Sequence, residues 1–89
     1  MSFRERRLSE RTWVFRDALL SIPRLKHVYS CGVRDLSANG AGLRLNRLPL
    51  LPSEFNLSLD GFRSTLVCSL IWRDGDFAGV MFRPVINLT

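Results

Sequence analysis

Period-two alternation of apolar and polar residues is the feature that most constrains the fold of this chain. Such alternation places successive side chains on opposite faces of an extended strand, whereas a helix would repeat its apolar positions every three to four residues. Two adjacent segments show the pattern, and both are predicted to be half-buried strands. Their apolar positions are Ala41, Leu43 and Leu45 in the first segment and Phe55, Leu57 and Leu59 in the second.

Further strands are predicted on both sides of these two. Residues 65–73 alternate but carry apolar residues on both sides at their centre, which indicates a strand covered on both faces, and Phe77 to Phe82 forms the last strand. Thr12 to Ile22 and His27 to Leu36 are predicted strands separated by a turn at Pro23.

Turn residues divide the chain in the same way. Asp60-Gly61 and Asp74-Gly75 lie between alternating segments, and the Asp-Gly pair favours tight hairpins between antiparallel strands. Pro49 and Pro52 bracket a connection that cannot be a central strand, because proline has no N–H to donate to a neighbouring strand. Six short strands leave exposed edges unless the sheet closes. We therefore predict an all-β fold, a small six-stranded antiparallel β-barrel, with at most a short helical turn after Arg83.

Composition limits the classes of function. The 89 residues suit one domain with a single modest core, which excludes a multi-domain enzyme. The formal net charge of +5 is concentrated in Met1–Arg47, which holds ten Lys and Arg residues against four Asp and Glu residues. Such a field attracts anionic ligands, although it also serves simply to solvate a surface.

The cysteines, the histidine and the N-terminus point away from other chemistry. Cys31 and Cys68 are expected to be reduced thiols, and the chain is expected to be cytoplasmic, because the N-terminus lacks the apolar core of a signal peptide and no apolar segment approaches membrane-spanning length. With His27 they offer three soft ligands without metal-binding spacing, so no metal site is expected. No nucleophile or carboxylate pair accompanies His27, and the protein is not expected to be an enzyme.

Two motifs carry the candidate binding chemistry. Arg7 and Arg11 lie four residues apart, and Asp35, Ser37 and Gly40 follow about two dozen residues later. Arginine donates paired hydrogen bonds to a phosphate or to the O6 and N7 atoms of guanine, while a carboxylate accepts from guanine N1 and N2. Asp35 and Ser37, at i and i+2 of a strand, are expected to face one base together, and Gly40 is expected to adopt a positive φ or to approach the ligand closely. Taken singly, the arginines are also compatible with a hydrated tail, and the second motif with an ordinary turn.

The order of the two motifs resembles a known family. RxxxR, then DxSxxG, then short alternating strands ending in WRDGDFAGVMF resemble the PilZ domain over Arg6 to Phe82, with Trp72, Gly79 and Phe82 in the closing strands. The resemblance implies a β-barrel that binds the bacterial second messenger cyclic di-GMP. It implies ligand contacts from Arg7 and Arg11 on a flexible arm of residues 1–11 and from Asp35, Ser37 and Gly40 on a barrel domain of residues 12–89.

Arg6 belongs to the same arm. An arginine directly before RxxxR resembles the PilZ members that hold two stacked ligand molecules, and a guanidinium at this position is able to stack on guanine or contact a further phosphate. Arg6 is therefore a candidate ligand residue, and the sequence leaves open whether one or two ligand molecules bind.

The resemblance implies a non-catalytic receptor without a cofactor that signals to an unidentified protein partner in trans. The alternative is a PilZ-fold interaction adaptor that does not bind cyclic di-GMP. A nucleic-acid-binding barrel is a third class, but the sequence shows no interleaved basic and aromatic series, and no DNA or RNA partner is expected. The oligomeric state is open. Trp72 and Phe82 are expected to lie in the core, and the place of Trp13 is undecided.

Overall fold

The computed structural model of the chain describes residues 12–83 and shows a closed barrel of six antiparallel strands, as predicted. No helix of seven or more residues occurs in that range; a single 3-10 turn, Pro23–Leu25, joins the first two strands. The strands are β1 (Thr12–Ile22), β2 (His27–Leu36), β3 (Gly40–Arg44), β4 (Glu54–Ser58), β5 (Leu66–Asp74) and β6 (Phe77–Phe82).

The strands follow the order β1-β2-β3-β6-β5-β4, and β4 pairs with β1 to close the barrel. The closing pair is short, with Leu20 opposite Leu57 at its centre. Both leucines are fully buried, as is the neighbouring Phe55, because the alternation along these strands directs every second side chain into the barrel. The core predicted from the alternating segments is therefore present.

The core also contains the two cysteines, Cys31 on β2 and Cys68 on β5, both as free thiols. Burial raises the pKa of Cys31 to about 11. The pKa of Cys68 is raised to about 12, mainly by burial and in addition by the charge of nearby Cys31. Both groups are protonated at neutral pH, so they act as small apolar core residues and not as nucleophiles. Within residues 12–83, no group of three His, Cys, Asp or Glu side chains is arranged to hold a metal ion.

The two Asp-Gly turns differ from one another. At the β5–β6 hairpin, Gly75 is the first of two turn residues and has φ 61°, the positive value that a tight turn requires there. The expectation of a tight hairpin at Asp60-Gly61 is wrong, because a longer connection over residues 59–65 joins β4 to β5.

The β4–β5 connection is held together by side chains. The Ser58 hydroxyl donates to the Asp60 carboxylate at 2.8 Å and accepts from the backbone N–H of Phe62 at 2.8 Å. Asp60 also accepts from the Ser64 hydroxyl at 2.6 Å and from the Ser64 backbone N–H at 3.0 Å. These bonds, led by those from Ser64, lower the pKa of Asp60 to about 2. The motif that looked like a tight turn is thus a side-chain-stabilised loop.

The β3–β4 connection, residues 45–53, contains Pro49 and Pro52 and is not a strand, as predicted. Arg73 on β5 attaches it to the barrel by donating to the carbonyls of Leu48 and Pro49. The part of the chain described by the structure contains no helix long and apolar enough to span a membrane.

Candidate functional site

One row of paired residues crosses five of the six strands. Register partners run from Trp13 on β1 to Asp35 on β2, then to Gly42 on β3, Gly79 on β6 and Trp72 on β5. We call this row the Asp35 rung. It contains the acidic residue of the second motif and two of the residues that carry the family resemblance.

A β-bulge in β2 decides where Asp35 points. Val33 pairs with Leu43 and Asp35 pairs with Gly42, which leaves Arg34 as an extra residue. Cys31 and Val33 point into the core, and simple alternation would direct Asp35 inward as well. The bulge reverses this, because Asp35 lies against Gly42, whose chain neighbours are both in the core. The carboxylate therefore lies on the outer face of the sheet, over Gly42, where neighbouring side chains cover it.

A second bulge has the same effect in β5. Leu70 pairs with Val80 and Trp72 pairs with Gly79, so Ile71 is the extra residue. The expectation that Trp72 lies in the core is wrong: its side chain is 48% exposed and covers Gly79 on the outside. Sequence alternation missed this residue because a bulge inserts one position and reverses the face of every residue that follows it. Phe82, also expected in the core, is half-buried and packs against it.

The two glycines of the rung make room for these side chains. A Cβ atom on Gly42 would collide with the carboxylate of Asp35, whose Cγ lies 3.1 Å from that position. A Cβ atom on Gly79 would collide with the indole of Trp72, whose Cε2 lies 2.7 Å from that position. Since Gly42 and Gly79 are register partners, the carboxylate and the indole lie over neighbouring positions of the sheet.

A surface pocket of about 330 Å³ lies along the rung. Asp35, in the wall of this pocket, is only 3% exposed. A ligand therefore reaches its carboxylate only after the surrounding side chains move. The polar and aromatic side chains of the pocket come from Trp13, Arg34, Asp35 and Trp72, and Gly42 and Gly79 also line it. A larger cleft, of about 610 Å³, lies between the end of β1 and β4, but it contains none of the motif residues that the structure describes.

Arg34 provides positive charge at the pocket. Its guanidinium carbon lies 4.8 Å from the ring centre of Phe77 and 5.7 Å from that of Trp13, and one of its nitrogens lies 4.0 Å from the Asp35 carboxylate. The sequence showed no interleaving of basic and aromatic residues, but the fold creates one here by bringing three strands together. The arginine is held by two aromatic faces beside the acid.

Ser37 and Gly40 form the turn between β2 and β3. The Ser37 hydroxyl accepts from the backbone N–H of Gly40 at 3.2 Å and of Asn39 at 3.3 Å, and it donates to the Gly40 carbonyl at 3.3 Å. These local bonds are the ordinary turn chemistry of a serine in this position. Ser37 does not line the Asp35 pocket, so the structure places the two motif residues in different local environments.

Gly40 is required for a different reason from the one expected. Its φ is not positive, and it is buried against β6. A Cβ atom there would collide with the carbonyl oxygen of Val80, and the Cα of Met81 would lie 3.3 Å away. Close approach of two backbones, rather than a left-handed turn, explains the glycine.

Two exposed aromatic residues extend the surface beyond the pocket. Trp13 and Phe15 are 61% and 75% exposed, and their rings stack with centres 6.2 Å apart. Phe15 has φ 49°, an uncommon value for a bulky residue, within an irregularity of the β1–β2 register. Trp13 therefore belongs both to the pocket and to an apolar surface outside it.

The three arginines proposed to bind the ligand, Arg6, Arg7 and Arg11, lie outside the described residues. Their segment leads directly into β1, whose second residue is Trp13 of the Asp35 rung. His27 is exposed at the start of β2 and its ring packs on Tyr29, with centres 4.5 Å apart.

Comparison with known proteins identifies the family of the chain. A search of curated proteins finds no match. The family profile described as PilZ domain matches residues 5–88, nearly the whole chain. On the strength of that match, together with the closed six-stranded barrel, the chain belongs to the PilZ domain family.

Proposed function

We propose that this protein is a non-catalytic receptor for cyclic di-GMP that signals to a partner protein in trans. PilZ domains are, as a class, receptor domains of the cyclic di-GMP-binding type. The single observation that supports the proposal here is the arrangement of Asp35 and Trp72 over neighbouring glycines in one pocket. This arrangement offers a hydrogen-bond acceptor for the edge of a purine and a plane for its face.

Guanine fits the chemistry of this pair. Its N1 and N2 atoms are hydrogen-bond donors, and a carboxylate accepts from both, whereas adenine offers no such pair of donors at that edge. The exposed indole of Trp72 is suited to stacking on a base, a contact that contributes about 1–3 kcal/mol per base in proteins that bind nucleotides this way.

The phosphates of the ligand require cations. Arg34 supplies one from the barrel, and Arg7 and Arg11 supply two more from residues 1–11, with Arg6 as a further candidate. Arginine is suited to this role because its planar fork donates two parallel bonds to a phosphate.

Trp13 connects the pocket to a surface that a partner could read. It lines the pocket and stacks on Phe15, and both rings are exposed. Ligand-dependent movement of Trp13 would alter this apolar surface, which gives the receptor an output without a second domain.

Isothermal titration with cyclic di-GMP tests the receptor function. We expect wild-type protein to bind at low micromolar concentration, Asp35→Asn to bind at least tenfold more weakly, and Arg7→Ala/Arg11→Ala to lose most of the affinity. Asp74→Ala and Arg24→Ala/Arg63→Ala are charge-matched controls at exposed positions outside the pocket and are expected to bind as wild type does. Thermal unfolding of each variant separates loss of binding from loss of fold.

No binding by wild-type protein, or undiminished binding by Arg7→Ala/Arg11→Ala, would contradict the receptor function. A second candidate, an interaction adaptor that does not bind the nucleotide, is favoured by the exposed Trp13–Phe15 pair. Partner binding that depends on both aromatic residues and is insensitive to cyclic di-GMP would support the adaptor.

A further inference from the structure

The bulge in β2 places Arg34 and Asp35 on the same outer face: Arg34, which follows the core residue Val33, would face outward in a regular strand too, and the bulge redirects Asp35 to join it. In a regular strand, adjacent residues point to opposite faces, so an arginine next to Asp35 would lie far from the carboxylate. As the extra residue of the bulge, Arg34 instead lines the same pocket as Asp35, with a guanidinium nitrogen 4.0 Å from the acid.

The Arg34 guanidinium is oriented and still has donors available. Phe77 and Trp13 hold it at 4.8 Å and 5.7 Å from their ring centres, which reduces the side-chain entropy lost on binding. Its side chain is 35% exposed. Among residues 12–83 the Asp35 carboxylate is its one charged partner and the guanidinium donates no hydrogen bond to them, which leaves N–H donors for a ligand.

A carboxylate beside a guanidinium is complementary to one base in particular. Guanine presents N2 and N1 as donors and then O6 and N7 as acceptors in continuous order around its edge, so an acid and an arginine side by side satisfy all four. In the same orientation, adenine presents its N6 amino group to the arginine donors and an unprotonated N1 to the carboxylate. Both contacts are repulsive, which gives discrimination against the wrong base as well as affinity for the right one.

We propose that Arg34 is a specificity-determining residue of the pocket, donating to O6 and N7 of the guanine whose N1 and N2 are bound by Asp35. The proposal rests on the receptor function above. Arg34 acts from the rigid barrel, and it selects the base, while the arginines of residues 1–11 provide phosphate affinity.

Titration of four proteins with cyclic di-GMP and cyclic di-AMP tests this role. The proteins are wild type, Arg34→Ala, Arg34→Lys and the control Arg44→Ala, in which an exposed arginine of the same face but outside the Asp35 pocket is removed. We expect Arg34→Ala to bind cyclic di-GMP at least tenfold more weakly and Arg44→Ala less than threefold more weakly. The preference for cyclic di-GMP over cyclic di-AMP is expected to fall at least tenfold in Arg34→Ala.

Arg34→Lys separates charge from shape. Lysine keeps the positive charge but lacks the planar fork, so we expect this variant to lose base preference while keeping more of the affinity than Arg34→Ala. Wild-type affinity in Arg34→Lys, or equal losses in Arg34→Ala and Arg44→Ala, would overturn the proposal. Equal proportional losses for both nucleotides in Arg34→Ala, or cyclic di-AMP that still fails to compete at millimolar concentration, would overturn it too.

The outcome for the receptor function is read separately. If wild-type protein does not bind cyclic di-GMP, the proposed function itself fails. If wild-type protein binds and the Arg34 variants behave as the Arg44 control does, the receptor function stands and only the role of Arg34 is lost. Thermal unfolding of all three arginine variants shows whether each remains folded under the titration conditions.

Discussion

The Asp35 rung and the β1–β4 closure are both parts of one antiparallel barrel, yet they follow opposite rules. At the closure, the register is regular, Leu20 faces Leu57 inside the barrel, and alternation places the residues correctly. At the rung, bulges at Arg34 and Ile71 turn a carboxylate and an indole outward. The regular side contributes to the barrel core, and the irregular side forms the candidate site.

The comparison also shows how a small barrel makes a pocket. Two bulges on separate strands, each of one residue, redirect Asp35 and Trp72 toward a common place on the surface. Two glycines on the strands between them leave the space that those side chains occupy. Bulges are common beside functional sites because they redirect side chains. Here they account for a buried acid next to an exposed tryptophan, which regular pairing would not produce.

The largest effect is expected on the regular side. Phe55→Ala removes one of the largest fully buried side chains and should lower the free energy of unfolding by about 4 kcal/mol, through lost burial and the cavity left behind. Chemical denaturation measures the change. Leu50→Ala, at a position 80% exposed, is the control and should change the free energy of unfolding by less than about 0.5 kcal/mol. Similar values for the two variants would mean that the core is not where the alternation places it.

Three glycine substitutions compare backbone with side-chain crowding. Gly40→Ala places a methyl group against the β6 backbone, which cannot swing away, and should lower the free energy of unfolding by about 3 kcal/mol. Gly79→Ala should lower it by about 1–2 kcal/mol, because the Trp72 indole can rotate outward. Gly32→Ala should be nearly neutral, because the atoms nearest to the new Cβ lie 3.8 Å away, at ordinary van der Waals contact.

The Gly79 result is sharpened by a double substitution. If Gly79→Ala destabilises the protein only by crowding Trp72, the double variant Gly79→Ala/Trp72→Ala should lose less free energy of unfolding than the sum of the losses in the two single variants. Additive effects would show that Gly79 is required by the backbone and not by the indole.

Trp72→Ala is expected to affect ligand affinity much more than stability. Because the side chain is 48% exposed, its removal should lower the free energy of unfolding by about 1 kcal/mol, far less than Phe55→Ala. If the indole stacks on the ligand, the affinity for cyclic di-GMP should fall by about tenfold or more. Titration and denaturation of the same preparation measure both quantities, and Met81→Ala is the control, because Met81 is an apolar residue 49% exposed that lies outside the pocket. Full affinity in Trp72→Ala would remove the indole from the binding site.

The smallest effect is expected at the β4–β5 connection beside the regular side. The pKa of Asp60 is lowered to about 2 by hydrogen bonds in the folded state, so its contribution to stability is present above the ordinary pKa of an aspartate and is lost as the pH falls toward 2. The difference in unfolding free energy between wild type and Asp60→Asn should therefore shrink between pH 5 and pH 2, as measured by denaturation at a series of pH values. A difference that stays constant over this range would contradict the lowered pKa.

Much of the fold was predictable because strands and turns leave patterns among residues that are close in sequence. Alternation located β3, β4 and β5, the other three strands were also predicted, proline marked the β3–β4 connection, and Gly75 occupies its expected turn. The expectation at Asp60-Gly61 failed because Ser58 and Ser64 bond to Asp60 and stabilise a longer loop. Those bonds join residues whose side chains meet only once the loop has formed.

The site was predictable only in part. Asp35 was identified from its motif, and the structure puts it in a pocket. Trp72 was assigned to the wrong face, and Arg34 was not singled out at all. The bulge at Ile71 leaves no local signal in the sequence. The bulge at Arg34 leaves one hint, because regular alternation would place the acid Asp35 in the core.

The amino-acid sequence by itself determined that this is an antiparallel β-barrel and contains RxxxR and DxSxxG, because alternation, turn residues and motif spacing depend on near neighbours in the chain. Only the tertiary structure decided which face Asp35 and Trp72 occupy and that Arg34 lies beside the acid. The face of a strand residue depends on its pairing register, and the register depends on partner strands that are distant in sequence.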